Sequence, residues 1–247
     1  VNKTCNFDNL DLNSALNYAK KFAGEKYSIG LETVLSVGIS DISLLPRLRF
    51  DENNKIILEE YIQKWVHAYL TGYENRPTKR QGKKSNTYPD TIIKIILQSR
   101  LPNIDEQLAN QIECGHSILM TIENLVGDLL EEYLSSRLSE FGWFCCWGST
   151  IDAVDFCKAD GSLLQVKNSD NSENSSSSRV RNGTNIKKWS RRVSTKQGYY
   201  DWDILNEHIG STTLNEVDFK FFVTKAIESN PSCIYVSDNN ILQGESI

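Results

Sequence analysis

The sequence predicts a mixed α/β protein, a helical region over residues 1–110 followed by a region that turns to strands. Three observations carry this. Apolar residues recur at helical spacing through the first half. The widest such stripe lies in residues 116–140. After Gly142 the period drops to two.

In chain order, residues 10–23 form an amphipathic helix, with Leu12, Leu16 and Ala19 near helical spacing. Residues 56–70 form another, with Ile57, Tyr61, Trp65 and Ala68 on one face. Residues 73–88 read as a polar loop. Asp90 opens a helix through Ile92, Ile93, Ile96 and Leu97 that stops before Pro102. Asp105 starts a further helical stretch. Ile118, Ile122, Leu125, Leu129 and Tyr133 belong to the wide stripe of 116–140, and Gly142 ends it. Strands are expected at 142–148, 151–157 and 162–167. A polar tract, 168–178, leads to a segment around Trp189 that reads as helical. Residues 217–224 and 233–236 complete the strands, and no internal repeat is visible.

Composition narrows the class. With 247 residues, 39% hydrophobic and 24% charged, the chain can bury one large core or two small ones. No apolar run approaches the roughly 18 residues of a membrane helix, and no basic-then-apolar start resembles a signal peptide. A cytoplasmic protein with no membrane partner is expected. The six cysteines form no C-x-x-C pair, and Cys114 with His116 is the nearest approach to a ligand pair, so buried reduced thiols are expected. There is no Gly-rich phosphate loop and no G-x-S-x-G, and none of His67, His116 and His208 is paired for catalysis.

The net charge of −5 argues against nucleic acid, but the distribution argues for it. Residues 179–200 hold seven Lys/Arg and no acid, and residues 75–89 hold five and no acid. Clearing acids from two stretches makes local positive surfaces.

The informative stretch runs from Asp152 to Lys167. Two strands flank Ala159-Asp160-Gly161, a three-residue hairpin loop with glycine in the left-handed position. Asp155 then faces Gln165, and Ala153 faces Lys167, so Asp155, Gln165 and Lys167 share one side of the sheet. Val154, Phe156, Leu164 and Val166 point the other way. Asp152 falls on that apolar side, which makes Asp155 the functional acid. Asp155, the Gln165 side-chain oxygen and the Val166 carbonyl are the oxygen ligands that a hard cation such as magnesium takes. Lys167 can orient water or offset charge on a phosphate. A plain surface hairpin with a salt-bridged lysine fits the spacing as well.

This pattern, an acid followed by (Asp/Glu/Gln)-x-Lys on a hairpin, resembles the PD-(D/E)XK nuclease superfamily. The run from Gln165 through the Asn/Ser tract, then Val180-Arg-Asn-Gly-Thr-Asn-Ile-Lys-Lys-Trp189, resembles type II restriction endonucleases of the SinI kind, which recognise GGWCC-type sites. It covers about residues 123–192. The resemblance implies a mixed central sheet flanked by helices, with a catalytic core over 111–247. Gln165 stands where the superfamily has Asp or Glu, and Val154 where it has proline. Such folds bring a helix glutamate to the site. Glu123 is the candidate, with Glu131 as fallback.

The resemblance further implies a Mg2+-dependent enzyme cutting double-stranded DNA at a short palindrome. A two-fold homodimer and a cognate DNA methyltransferase as functional partner follow. Within a recognition segment, 168–196, Asn168, Asp170, Asn171, Glu173, Asn174, Arg179, Arg181 and Asn182 have the chemistry for base edges. Ser176, Lys187, Lys188, Arg191 and Arg192 suit phosphates. A nonspecific or repair nuclease of the same fold, and an inactive DNA-binding module, stand as alternatives.

Overall fold

A four-stranded mixed sheet joins the two halves of the chain. The computed structural model describes residues 7–47, 55–82, 90–101, 103–170 and 185–235. Its strands are β1 (Trp143–Cys145), β2 (Phe156–Lys158), β3 (Leu163–Ser169) and β4 (Ile186–Arg192), in the order β1-β2-β3-β4. The first three are antiparallel neighbours, and β4 runs parallel to β3.

The helices are α1 (Leu12–Ala23), α2 (Ile29–Ser40), α3 (Leu58–Glu74), α4 (Thr91–Arg100), α5 (Glu106–Leu138), α6 (Trp202–Ile209) and α7 (Glu216–Ser229). Asp11, Ser28, Asp105 and Asn215 open α1, α2, α5 and α7, each side chain accepting a backbone N–H of the first turn.

Both sheet faces are buried. Tyr61 and Trp65 of α3 and Leu35 of α2 pack with Cys157, Leu163 and Ile186 on one side. Tyr133 and Leu134 of α5, Trp202 and Leu205 of α6, and Phe219 of α7 pack with Phe156, Leu164, Val166 and Trp189 on the other. Strands covered on both faces read as continuous apolar runs. The N-terminal helices therefore share their core with the sheet.

Helix α3 lies against the turn that follows β1. A Cβ on Gly72 would sit 2.2 Å from the Gly148 nitrogen, and one on Gly148 would sit 2.1 Å from the Ala68 oxygen. Only glycine permits this approach. The Trp65 indole N–H donates to the Thr150 carbonyl at 3.0 Å, pinning the segment that leads to β2.

Several expectations need correction. Residues 217–224 are helical, within α7. Phe219 and Ala226 are buried at helical spacing, while Val217 and Phe221 face out. The alternation of Val217, Phe219 and Phe221 mimicked a strand. The segment around Trp189 is strand β4, not a helix, because its Ile186 and Trp189 pair against β3 rather than forming a helical stripe. Pro231–Cys233 is a 3-10 turn where a strand was expected to begin, and Val236 lies outside the described residues. β1 has three residues before the chain turns at Trp147–Ser149. The two helical stretches from Asp105 onward are one 33-residue helix, α5. Among the described residues, no helix is long and apolar enough to cross a membrane.

Candidate active site

The β2–β3 hairpin has the expected loop and register. Gly161 sits at φ 85°, Lys158 N–H donates to Ser162 at 3.0 Å, and Phe156 pairs with Leu164. The strand before it does not start where expected. Ala153 adopts φ 63°, a left-handed conformation that disfavours a side chain. This breaks the alternation, so Val154 packs in the N-terminal core rather than beside Phe156. Asp152 for the same reason is exposed, not on an apolar face. Asp155 follows the kink. Its N–H donates to Leu164 at 3.0 Å, and its carbonyl accepts from Cys146 at 2.8 Å.

Asp155, Gln165 and Lys167 line one cleft of about 590 Å3. Its walls are the end of α3 with the following loop, the middle of α5, and residues 146–155. The Asp155 carboxylate accepts the Val166 N–H at 2.6 Å. Gln165 is 1% exposed, and its Oε1 has no hydrogen-bond partner. Such an orphan costs roughly 1–3 kcal/mol unless something meets it.

Helix α5 contributes Glu131 and Asp128. Burial, then the charges of Asp155 and Asp128, push the Glu131 carboxyl up to about 8, against an opposing pull from Lys167. Burial raises Asp155 to about 6, opposed by the Val166 hydrogen bond and Lys167. Glu123 is exposed on α5, two turns away, and does not line the cleft. The helix thus delivers the fallback glutamate.

Sequence reasoning did not assign Arg76 and Arg80 to the site, although it marked their stretch as basic. Both line the cleft. Arg76 pairs with buried Glu132 at 3.2 Å and stacks on Tyr73. Thr78 N–H and hydroxyl also donate to Glu132, and Arg80 pairs with Asp128. The Asn230 amide donates to the Pro77 and Arg80 carbonyls at 2.9 and 2.8 Å. The lack of acids in 75–89 was the signal, and the partners on α5 lie too far along the chain to be read from it.

The expected DNA contacts divide. Asn171, Glu173, Asn174, Ser176, Arg179, Arg181 and Asn182 lie outside the described residues. Lys187, Lys188 and Arg192 are exposed on β4. Lys188 pairs in register with Gln165 and shares its face. Arg191 is turned inward instead. It pairs with Glu216 at 2.8 Å, donates to Asn168 at 3.0 Å and lies over Tyr200 and Phe219. Being 7% exposed, its guanidinium is not offered to a phosphate. Asp170 accepts the Ser194 N–H at 2.9 Å, holding a turn.

Among the described residues, no group of three His, Cys, Asp or Glu side chains is arranged around a metal position. The donors here are two carboxylates and an amide oxygen. That oxygen-only set, with its orphaned acceptor and two acids pushed above their ordinary range, fits a hard divalent cation. Cys145, Cys146 and Cys157 are free and buried. Burial raises the Cys145 and Cys146 thiols, which keeps them neutral beside the acids.

The chain is similar to known proteins over most of its length. The sequence profile described as SinI restriction endonuclease matches residues 31–229, well beyond the stretch whose motifs carried the resemblance. The type II restriction enzyme Eco47I of Escherichia coli is 40% identical over 175 residues, 69% of this chain and 74% of its own. The type II restriction enzyme SinI of Salmonella infantis is 42% identical over 142 residues, 56% of this chain and 61% of its own.

Proposed function

The chain belongs to the SinI restriction endonuclease family, and on that premise we propose that it hydrolyses phosphodiester bonds of double-stranded DNA at a short palindrome, GGWCC-like, in a Mg2+-dependent reaction. The observation that carries the metal reading is the buried, unpartnered Oε1 of Gln165 beside Asp155 and Glu131.

Asp155, Gln165, Glu131 and the Val166 carbonyl would hold the magnesium ion. Bound there, it would supply Lewis-acid polarisation of the scissile phosphate. The Val166 N–H fixes the Asp155 carboxylate so that it needs no reorganisation when the phosphate arrives. Lys167 places a positive charge on the same face, where it orients the attacking water and offsets charge building on the phosphate. Glu131 takes the helix-glutamate role first given to Glu123, because it lines the cleft and Glu123 does not.

Four acids line the cleft, Asp128, Glu131, Asp152 and Asp155, and Arg76 and Arg80 are held in ion pairs with Glu132 and Asp128. Lys167 in the cleft and Lys188, exposed on the same face of the sheet, supply the positive charge that meets a DNA backbone. The segment 168–196 reads bases, with Lys187, Lys188 and Arg192 on phosphates. A palindrome calls for two sites related by a two-fold axis, hence a homodimer. A methyltransferase protecting the same sequence is the functional partner.

The test is digestion of a long plasmid with Mg2+, with wild type beside Lys167→Ala and Asp155→Ala. Discrete bands from wild type, lost with EDTA and in both variants, are expected, and their ends give the site. A smear would replace sequence specificity by nonspecific cutting. Binding without cutting would leave only a DNA-binding module.

A further inference from the structure

We propose that Asn168 is a positioning residue: its side chain, bound to the fixed guanidinium of Arg191, anchors the point where β3 passes from Lys167 into the segment that meets DNA. This rests on the nuclease reading above and gives the first residue of that segment a task other than reading a base.

The two faces of β3 do different work. Gln165 and Lys167 line the cleft, so Val166 and Asn168 point to the opposite face. Val166 is buried there in the core that holds Trp189 of β4. Lys167 pairs with Ser190 and Ser169 with Arg192 along the parallel ladder, which sets Asn168 beside Arg191. The Arg191 Nε–H donates to Asn168 Oδ1 at 3.0 Å. Lys167 is therefore flanked by two residues, each fastened on the far side of the sheet.

The donor is itself held. Arg191 Nη1 donates to both Glu216 oxygens, at 2.8 and 3.0 Å, and the Trp202 indole N–H donates to Glu216 at 3.0 Å. The guanidinium lies over the Tyr200 and Phe219 rings, 5.0 and 4.9 Å from their centroids. The Arg191 carbonyl accepts the Asp201 N–H at 2.9 Å, and the Asp201 carbonyl accepts the Trp189 indole N–H at 2.7 Å. Helices α6 and α7 thus fix one end of the Asn168 bond. A hydrogen bond from a charged donor, shielded from water, is among the stronger ones a protein makes.

The chain stays tied to β4 a little further. Asp170 N–H donates to the Arg192 carbonyl at 3.2 Å, and its carboxylate accepts the N–H and hydroxyl of Ser194 at 2.9 and 3.0 Å. Asn168 is the tie that adjoins Lys167.

The same geometry takes Asn168 away from base reading. A bidentate contact to adenine uses both the oxygen and the nitrogen of the amide. Here the oxygen is already engaged, on the face turned from the cleft.

Single-turnover cleavage of plasmid DNA, with enzyme in excess and Mg2+ present, tests this beside hydrogen exchange of the DNA-free chain. Asn168→Ala is expected to slow cleavage by about 10-fold or more, with DNA affinity little changed and faster exchange at residues 167–170. Asn168→Asp keeps the acceptor for Arg191 but loses the nitrogen that a base contact needs, and is expected to restore both readouts. Arg191→Lys keeps a charge facing Glu216 and removes the Nε donor. It is expected to match Asn168→Ala, with the double variant no slower than either single one. Equal losses in Asn168→Ala and Asn168→Asp, with weakened DNA binding, would make Asn168 a base reader and overturn the proposal. So would a lowered melting temperature in Asn168→Ala at the wild-type cleavage rate. A wild type that never cuts DNA would sink the nuclease reading, and exchange would still decide the anchor: unchanged protection at 167–170 in Asn168→Ala would overturn it.

Discussion

The Val166 backbone N–H donates to the Asp155 carboxylate across 2.6 Å. One strand residue thereby fixes the acid that lies across the hairpin from it, next to Gln165. Asp155→Asn keeps an acceptor for that N–H while removing the charge. The expected result is loss of cleavage by about 100-fold or more, with a melting temperature in EDTA equal to or above wild type. Plasmid digestion and thermal melts check both halves.

Glu131 and Glu123 share α5 but not the cleft. Glu131→Gln is expected to lower the cleavage rate by about 100-fold or more, and Glu123→Gln by less than about two-fold. Equal losses would show that exposure on α5 does not separate the two.

The raised carboxyls make the metal-free protein sensitive to pH. Folded Asp155 and Glu131 hold protons that the unfolded chain releases near pH 4. Their contribution to stability is therefore greatest below that pH and falls as pH rises toward about 8. In EDTA, the melting advantage of Glu131→Gln over wild type should widen between pH 5 and pH 8. A constant difference would contradict the shift.

Glu132 anchors the loop that carries Arg76 and Thr78, with side chains 15% and 8% exposed in the Arg76–Glu132 pair. Removing one member of such a pair strands the other. Glu132→Ala should cost about 3–5 kcal/mol in denaturant unfolding, and a cycle with Arg76→Ala should show strong coupling.

Arg191 and Lys188 lie on opposite faces of β4, one buried and one exposed. Arg191→Ala should lower stability by about 3 kcal/mol, because the partly buried Glu216 loses its close ion-pair partner and keeps only the Trp202 indole N–H and Lys220 at 3.9 Å. Lys188→Ala should leave melting unchanged and flatten the salt dependence of DNA binding by about one phosphate contact.

The hairpin was legible in the sequence because its determinants are local. Gly161 fixes the loop, and the loop fixes which side Asp155 and Gln165 share. Glu131 was harder, since Glu123 and Glu131 lie two turns apart on one helix, and only the packing of α5 on the sheet decides between them. Arg191 read as a phosphate ligand because its partner Glu216 is 25 residues away. β4 hid because a lysine pair and a buried arginine interrupt its alternation. In α7, Val217 and Phe221 are apolar but exposed, so its pattern reported a surface patch as well as a core face.

The most direct test of the cation site is calorimetric titration of Mg2+ into the DNA-free protein, with wild type beside Asp155→Asn, Glu131→Gln and Gln165→Leu. The account predicts saturable binding by wild type that each substitution weakens, and a melting temperature that rises with Mg2+ only where binding survives. Unchanged binding in all three variants would contradict it and place the metal elsewhere.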